Sequence, residues 1–222
     1  MKKHILQKKC LMQRMHLSKL FLLLLIAFCF NTKIAQSQSP NAGFLISNNV
    51  TSLPVTGFPR VFYSQFHPGL DIFRDWKINK KEVNQFWVVA NAGVYYHRFI
   101  QTAVRLFGVI EYRHALCSRF TLTGGIGGGY LHAFDNTALL ELNSDGQYEI
   151  KHKITGRPQV LMQVNIGCSY ALKKDNAQSA KIVVQMRSFL QGPFVKGYVP
   201  LAPVNSFFVG LSVPFKCKKN EK

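Results

Sequence analysis

The chain has 222 residues, 47% of them hydrophobic and 17% charged, with 28 Lys and Arg against 10 Asp and Glu. That length suits one domain of moderate size, or a short targeting segment followed by one domain. No basic run interleaved with aromatics marks a nucleic-acid stripe, and no Cys-x-x-Cys or Cys/His spacing marks a disulfide framework or a zinc site.

The first 35 residues carry seven Lys/Arg and no acid, and behind most of that charge lies the eleven-residue apolar run Leu20–Phe30. A basic n-region, a short apolar h-region and a small polar c-region describe a secretory signal peptide. A spanning helix would need about 20 apolar residues, so the run is too short to cross a bilayer. Cleavage is expected after residues 1–35, or as late as residue 38, and Met15 would give a more ordinary signal peptide than Met1. Phe28 stands where a lipoprotein signal needs a small residue, which disfavours lipidation at Cys29. The exported remainder keeps 21 Lys/Arg against 10 Asp/Glu, a charge suited to anionic headgroups or polysaccharide rather than nucleic acid. Its three cysteines, Cys117, Cys168 and Cys217, are expected to be free.

Gly43–Ser52 is read as a first strand, and Pro54, Gly57 and Pro59 then mark a loop. His67-Pro68-Gly69 precedes Leu70–Ile78, where Leu70, Ile72, Trp76 and Ile78 share one face and Asp71, Asp75 and Lys77 the other. Arg74 sits on the apolar face against the pattern. After a turn at Asn79–Glu82, Phe86, Val88, Ala90, Ala92, Val94 and Tyr96 form an unbroken apolar row. Thr102, Val104, Leu106, Gly108, Ile110 and Tyr112 repeat it, opposite Arg105, Glu111 and Arg113. Thr121–Phe134 holds a glycine cluster but lacks the Gly-Lys-Ser/Thr ending of a phosphate loop. It alternates instead, with Leu122, Ile126 and Tyr130 on one face. Gly125, Gly127 and Gly129 on the other are expected to leave room for Arg and aromatic side chains from opposite strands.

Asp135–Pro158 is a long loop with a hairpin around Asp145-Gly146, and it is basic at Lys151, Lys153 and Arg157. Val160, Met162, Val164, Ile166, Cys168 and Tyr170 make a further apolar row. Past a polar turn at Lys173–Ser179, Ile182, Val184, Met186 and Leu190 alternate with Lys181, Gln185 and Arg187. Gln191–Val204 is a Gly- and Pro-containing loop, Asn205–Phe215 is a last strand, and 217–222 is a charged tail.

Segments of about ten residues match the length of a tilted spanning strand, and single-chain bacterial barrels have even strand numbers. A soluble barrel puts apolar residues inside and charge outside. Here the uninterrupted apolar rows, capped by tyrosine, are better explained as a lipid face. The predicted fold is all-β, an eight-stranded antiparallel up-and-down transmembrane β-barrel over 40–216, preceded by the signal peptide. With both termini periplasmic, Leu53–Phe66, His97–Gln101, Asp135–Pro158 and Gln191–Val204 are extracellular, and three of these four loops are longer than any of the turns.

The signal peptide, the alternating strands, His67-Pro68-Gly69, the glycine-rich strand ending Gly129-Tyr130-Leu131-His132 and a last strand ending in Phe215 resemble the small outer-membrane β-barrel proteins of Bacteroidetes-type bacteria. The resemblance covers about residues 40–216. It implies a Gram-negative cell envelope, localisation in the outer membrane, lipid and lipopolysaccharide as surroundings, and the barrel-assembly machinery as a partner during biogenesis. Such chains usually end at the aromatic residue that this machinery recognises, whereas seven residues follow Phe215 here.

On this topology Asp71, Asp75, Arg105, Glu111, Arg113, Lys181 and Arg187 form a lumen charge network. An eight-strand interior is just wide enough for side chains to fill, so paired charges there plug the barrel. His67, His97 and His132 gather at the extracellular mouth, where imidazoles could bind a metal; an aromatic girdle with Tyr95, Tyr96 and Tyr130 is the preferred reading. Lys151, Lys153 and Arg157 are the expected surface contact with lipopolysaccharide or host surfaces. No catalytic nucleophile with a partner base can be assigned, and Ser188, alone in its outward row, lacks one. The expectation is a monomeric, non-enzymatic barrel with a filled lumen, no cofactor and no metal, and surface loops for envelope stability or recognition. A lipid A-modifying, deacylase-like enzyme and a narrow pore are the alternatives.

Overall fold

The computed structural model describes residues 40–54, 57–136, 139–143, 145–151, 156–173, 179–194 and 200–215. The expected signal peptide, Lys153, Cys217 and the charged tail lie outside the described residues.

Alternation of β-branched and aromatic residues with polar ones gives long strands. They are β1 (Asn41–Thr51), β2 (Pro68–Lys77), β3 (Asn84–His97), β4 (Gln101–Ala115), β5 (Phe120–Asp135), β8 (Arg157–Ala171), β9 (Lys181–Gly192) and β10 (Ala202–Pro214). Each pairs antiparallel with its neighbours in chain order, and β1 closes on β10 with Asn41 opposite Pro214, so the sheet is an eight-stranded up-and-down barrel without an edge. The long loop after β5 carries a separate two-stranded hairpin, β6 (Leu139–Leu142) and β7 (Tyr148–Lys151). Its turn needs Gly146 at φ +74°, and the Asn143 side chain accepts hydrogen bonds from the Asp145 and Gln147 amides.

Strands of 10 to 16 residues reach or exceed the ten or so expected. The ladders run past the strictly alternating core into positions assigned to loops: β10 begins at Ala202 rather than Asn205, and Gln101, Asp135, Arg157 and Gln191 all lie within strands. The first loop also contains a short helix, α1 (Arg60–Tyr63), that strand periodicity could not reveal.

The outward rows are apolar and exposed, among them Ile72 at 59%, Ile110 at 59%, Ile126 at 66% and Ile166 at 67%. The inward rows hold Asp71, Arg105, Glu111, Gln163, Asn165 and Arg187, all at most 5% exposed, together with an apolar cluster that includes Leu45, Phe73, Val89, Phe107, Phe189 and Phe208. Arg74 does point outward, stacking on Trp76 and Phe215 near one end of the wall, where a long stem can carry its charge toward water.

The inward glycines of β5 act differently from expectation. A Cβ on Gly127 or Gly129 would strike the backbone of β4 beside it, not a side chain from across the lumen. They let neighbouring strands coil closely enough to close a narrow barrel. At Gly125 a Cβ would also meet the polar lumen side chains of Asn165 and Glu111.

Candidate functional site

Period-two strands entering from around the barrel deliver inward polar side chains to two levels of the lumen. In the outer level, Asp71 of β2 accepts hydrogen bonds from Arg105 Nε and Nη2 of β4 at 3.0 and 2.8 Å, and from Arg187 Nη1 of β9 at 3.3 Å. All three side chains are at most 2% exposed. Arg187 also donates to Asn91 Oδ1 at 3.2 Å and, through two nitrogens, to Gln185 Oε1 at 3.0 and 2.8 Å. In the inner level, Arg113 donates to Glu111 and Asp75, both at 2.7 Å. Glu111 further accepts from Asn165 at 3.0 Å and Gln185 at 3.4 Å, and Asp75 accepts from the backbone and side chain of Asn41. Gln185 therefore joins the two levels into one continuous network. Buried charges carry a large desolvation cost unless paired and hydrogen-bonded, and these carboxylates are met on both oxygens.

Aromatic rings complete the neutralisation. The Arg105 guanidinium lies 4.7 Å from the Phe189 ring centre and 5.2 Å from that of Phe208; Arg187 lies 4.5 Å from Phe208, and Arg113 4.5 Å from Trp87. Phe208 is thus shared by two guanidiniums, a favourable arrangement in a dry interior. Lys181 stands at the inner end, lining a cavity of about 20 Å³ with Asp75, Glu111, Arg113 and Ser212. That volume holds about one water.

At the outer end, the His67 and His97 imidazoles stack face to face, 3.7 Å between ring centres and 9° from parallel, at 6% and 8% exposure. Both His67 ring nitrogens are buried without a hydrogen bond among the described residues, as are Gln101 Oε1 and both Gln159 amide atoms. Tyr95 is not a girdle residue: it points inward at 3% exposure, accepts from Gln101 Nε2 at 2.5 Å and donates to Gln191 Oε1 at 3.1 Å. Burial pushes the His67 imidazole below its ordinary pKa. Parallel rings aim their nitrogen lone pairs along parallel planes rather than at a common point, which is poor geometry for chelation. Among the described residues no cluster of three or more His, Cys, Asp or Glu side chains could hold a metal.

His132 does not join this pair. The β4–β5 and β5–β8 registers run without a bulge through residue 132, so parity holds it on the outer wall. There its Nδ1 lies 2.7 Å from Tyr130 Oη, and its ring contacts Phe134. Arg157 is likewise no free surface contact. It begins β8 and donates to Asp135 and to the Phe194 carbonyl. Lys151 ends β7, and Lys153 lies outside the described residues. Ser188, the lone outward hydroxyl of its strand, donates to Asn205 Oδ1 at 2.6 Å. Of the cysteines, Cys117 is exposed and Cys168 half-buried, both free, and any pairing with Cys217 lies outside the described residues.

Sequence reasoning missed a second polar constellation, on the outside of the wall. Asn205 Nδ2 donates to the Ser52 and Leu53 carbonyls, at 3.3 and 2.8 Å, and to Ser52 Oγ at 2.8 Å. Asn48 Nδ2 donates to the Val61 carbonyl at 2.7 Å, and its Oδ1 accepts from the His67 amide at 2.8 Å. Two outward asparagines thus clamp the first loop against β1 and β10. The available signal was a polar residue heading an otherwise apolar row.

No family model matches the chain, and no curated protein matches it. Among solved structures it is similar to the outer-membrane enzyme PagL, at 10% identity and a TM-score of 0.45 over 79% of this chain and 99% of that one. It is also similar to Neisserial surface protein A, at 13% identity and a TM-score of 0.46 over 79% and 96%. The attachment invasion locus protein Ail of Yersinia pestis shows 12% identity and a TM-score of 0.39 over 80% and 97%.

Proposed function

We propose that this chain is an integral outer-membrane β-barrel without enzymatic activity, its lumen a packed ionic core and its surface loops serving envelope stability or recognition. One observation carries the reading: the distribution of polarity is inverted. Isoleucine, valine and leucine cover the exposed wall while a network of arginines and carboxylates is sealed within, the arrangement that a hydrocarbon solvent favours and water opposes. Continuous hydrogen bonding from Arg105 to Asn41 supports a filled lumen over a narrow pore. Outer-membrane lipid and lipopolysaccharide are the proposed surroundings, the barrel-assembly machinery the route of insertion, and a monomer the working state. Ser188 is engaged by Asn205 rather than by a base, which weighs against Ser188 as the nucleophile of a lipid A-modifying enzyme.

The test is refolding from urea into lipid vesicles and into buffer alone. Refolding should need the lipid, give a form that migrates faster on unheated gels, and leave planar bilayers non-conducting. Folding in buffer alone would overturn the membrane reading; stable conductance would overturn the filled lumen. Fatty acid released from lipopolysaccharide by the refolded protein would overturn the non-enzymatic reading.

A further inference from the structure

We propose that the first loop, centred on α1, is an interfacial anchor seated in the outer leaflet, with Leu53, Phe62, Tyr63 and Phe66 in contact with acyl chains. The inference rests on the reading that the outward rows of the barrel face lipid. It begins from the direction in which the loop folds. Clamped by Asn48 and Asn205, both outward-facing, the loop lies along the outer wall of β1 and β10 rather than only across the mouth. Val50, an outward residue of β1, is 6% exposed, and Val61 of α1 is 3% exposed.

The loop's own apolar surface then points away from the barrel. Leu53 is 67% exposed, Phe62 62%, Tyr63 74% and Phe66 62%. Scattered apolar side chains need no special account, but these four share one short segment, and that segment is continuous with the wall. Phe62 packs on Phe207, an outward residue of β10, with ring centres 5.2 Å apart, and Phe58 packs on Phe62 at 5.8 Å. The apolar surface of β10 at Phe207 therefore passes directly onto α1 at Phe62. Arg60, exposed at the start of α1, adds a cation suited to headgroup phosphates. Aromatic and apolar side chains with a basic neighbour, at the rim of an apolar band, are the composition of a segment lying in the headgroup–acyl boundary. That continuity favours lipid over a second copy of the chain as the occupant.

The test uses the full-length barrel, every native cysteine replaced by alanine, with single cysteines labelled by bimane after refolding into phosphatidylcholine–phosphatidylglycerol vesicles. Phe66→Cys and Tyr63→Cys report on the loop, Ile126→Cys on the wall, and Asp145→Cys on the water-exposed hairpin turn. All four positions are exposed, and a gel-mobility shift confirms folding of each. The expected result is a blue shift and loss of emission with doxyl-labelled lipid at Phe66→Cys and Tyr63→Cys, as at Ile126→Cys, and neither effect at Asp145→Cys. Quenching at Ile126→Cys without quenching in the loop would overturn the anchor and leave the membrane barrel standing. Absence of quenching at Ile126→Cys would remove the lipid-facing wall itself, and the anchor with it. Disulfide-linked pairs of Phe66→Cys without lipid quenching would assign the surface to a second copy instead.

Discussion

Asp71 and Gly93 face each other across the β2–β3 ladder as register partners, and a Cβ on the glycine would overlap the Asp71 carboxylate. The glycine is therefore what lets Asp71 reach both Arg105 and Arg187. Gly93→Ala should displace the carboxylate and lower stability by about 1–3 kcal/mol, the usual cost of overpacking, measured by urea unfolding in vesicles. Gly108→Ala, with nothing within 4 Å of its Cβ, should change stability little. Equal effects at the two sites would refute the packing argument.

Removing the carboxylate itself is a different perturbation. Asp71→Ala leaves two buried guanidiniums without their shared acceptor, and a broken buried pair costs about 3–5 kcal/mol. Adding Arg105→Leu and Arg187→Leu should restore a good part of that loss, because no uncompensated charge then remains. Urea unfolding of the single and triple variants measures both effects. Bilayer conductance of the triple variant should stay at baseline if side-chain volume, rather than charge, fills the lumen.

The stacked histidines predict an acid-sensitive outer end. Burial lowers the pKa of His67, so the folded barrel binds fewer protons there than the unfolded chain. The contribution to stability is complete above the unfolded value of about 6.5 and is lost as pH falls below it. His67→Phe keeps an aromatic ring on His97 and removes one titrating group. Its stability should fall less than that of the wild type between about pH 7 and pH 5; coincident slopes would exclude His67 as a source of the effect.

Asn205→Leu tests the clamp on the first loop. One amide nitrogen there serves three acceptors, and a net loss of about 1–3 kcal/mol of local stability should raise tryptic cleavage after Arg60 by roughly fivefold to a hundredfold. Cleavage at an unchanged rate would mean that other contacts hold the loop.

Much of the barrel was legible because a strand's side-chain period is two. Val104, Leu106 and Ile110 separate from Arg105, Glu111 and Arg113 by parity alone. Parity does not say which carboxylate an arginine will meet, because Asp71 and Arg187 are 116 residues apart and their approach depends on barrel closure and tilt. His132 shows the converse. Its parity placed it outside, and the continuous register keeps it there, so height along the barrel was a poor guide to grouping it with His67 and His97. Gln101 and Gln191 were lost from the lumen because the ladders extend into residues that look like loop. Nothing in the spacing of Asn48, Asn205 and Val61 foretold the clamp, since three of its acceptors are backbone carbonyls, which carry no side-chain signature.

The pairing of the first strand with the last has a kinetic consequence. Because β1 hydrogen-bonds to β10, with Asn41 opposite Pro214, the contact that seals the sheet spans the whole length of the barrel sequence. Asp71 reaches its two arginines only when residues far along the sequence have arrived. Local hairpins form early in such a topology, while the entropic cost of the longest contact is met last. Closure of the cylinder and neutralisation of its interior therefore coincide. A chain halted before Ala202 would present two open edges and lose Phe208 from between its arginines, a form with reason to stay bound to whatever shields nascent strands until β10 is released.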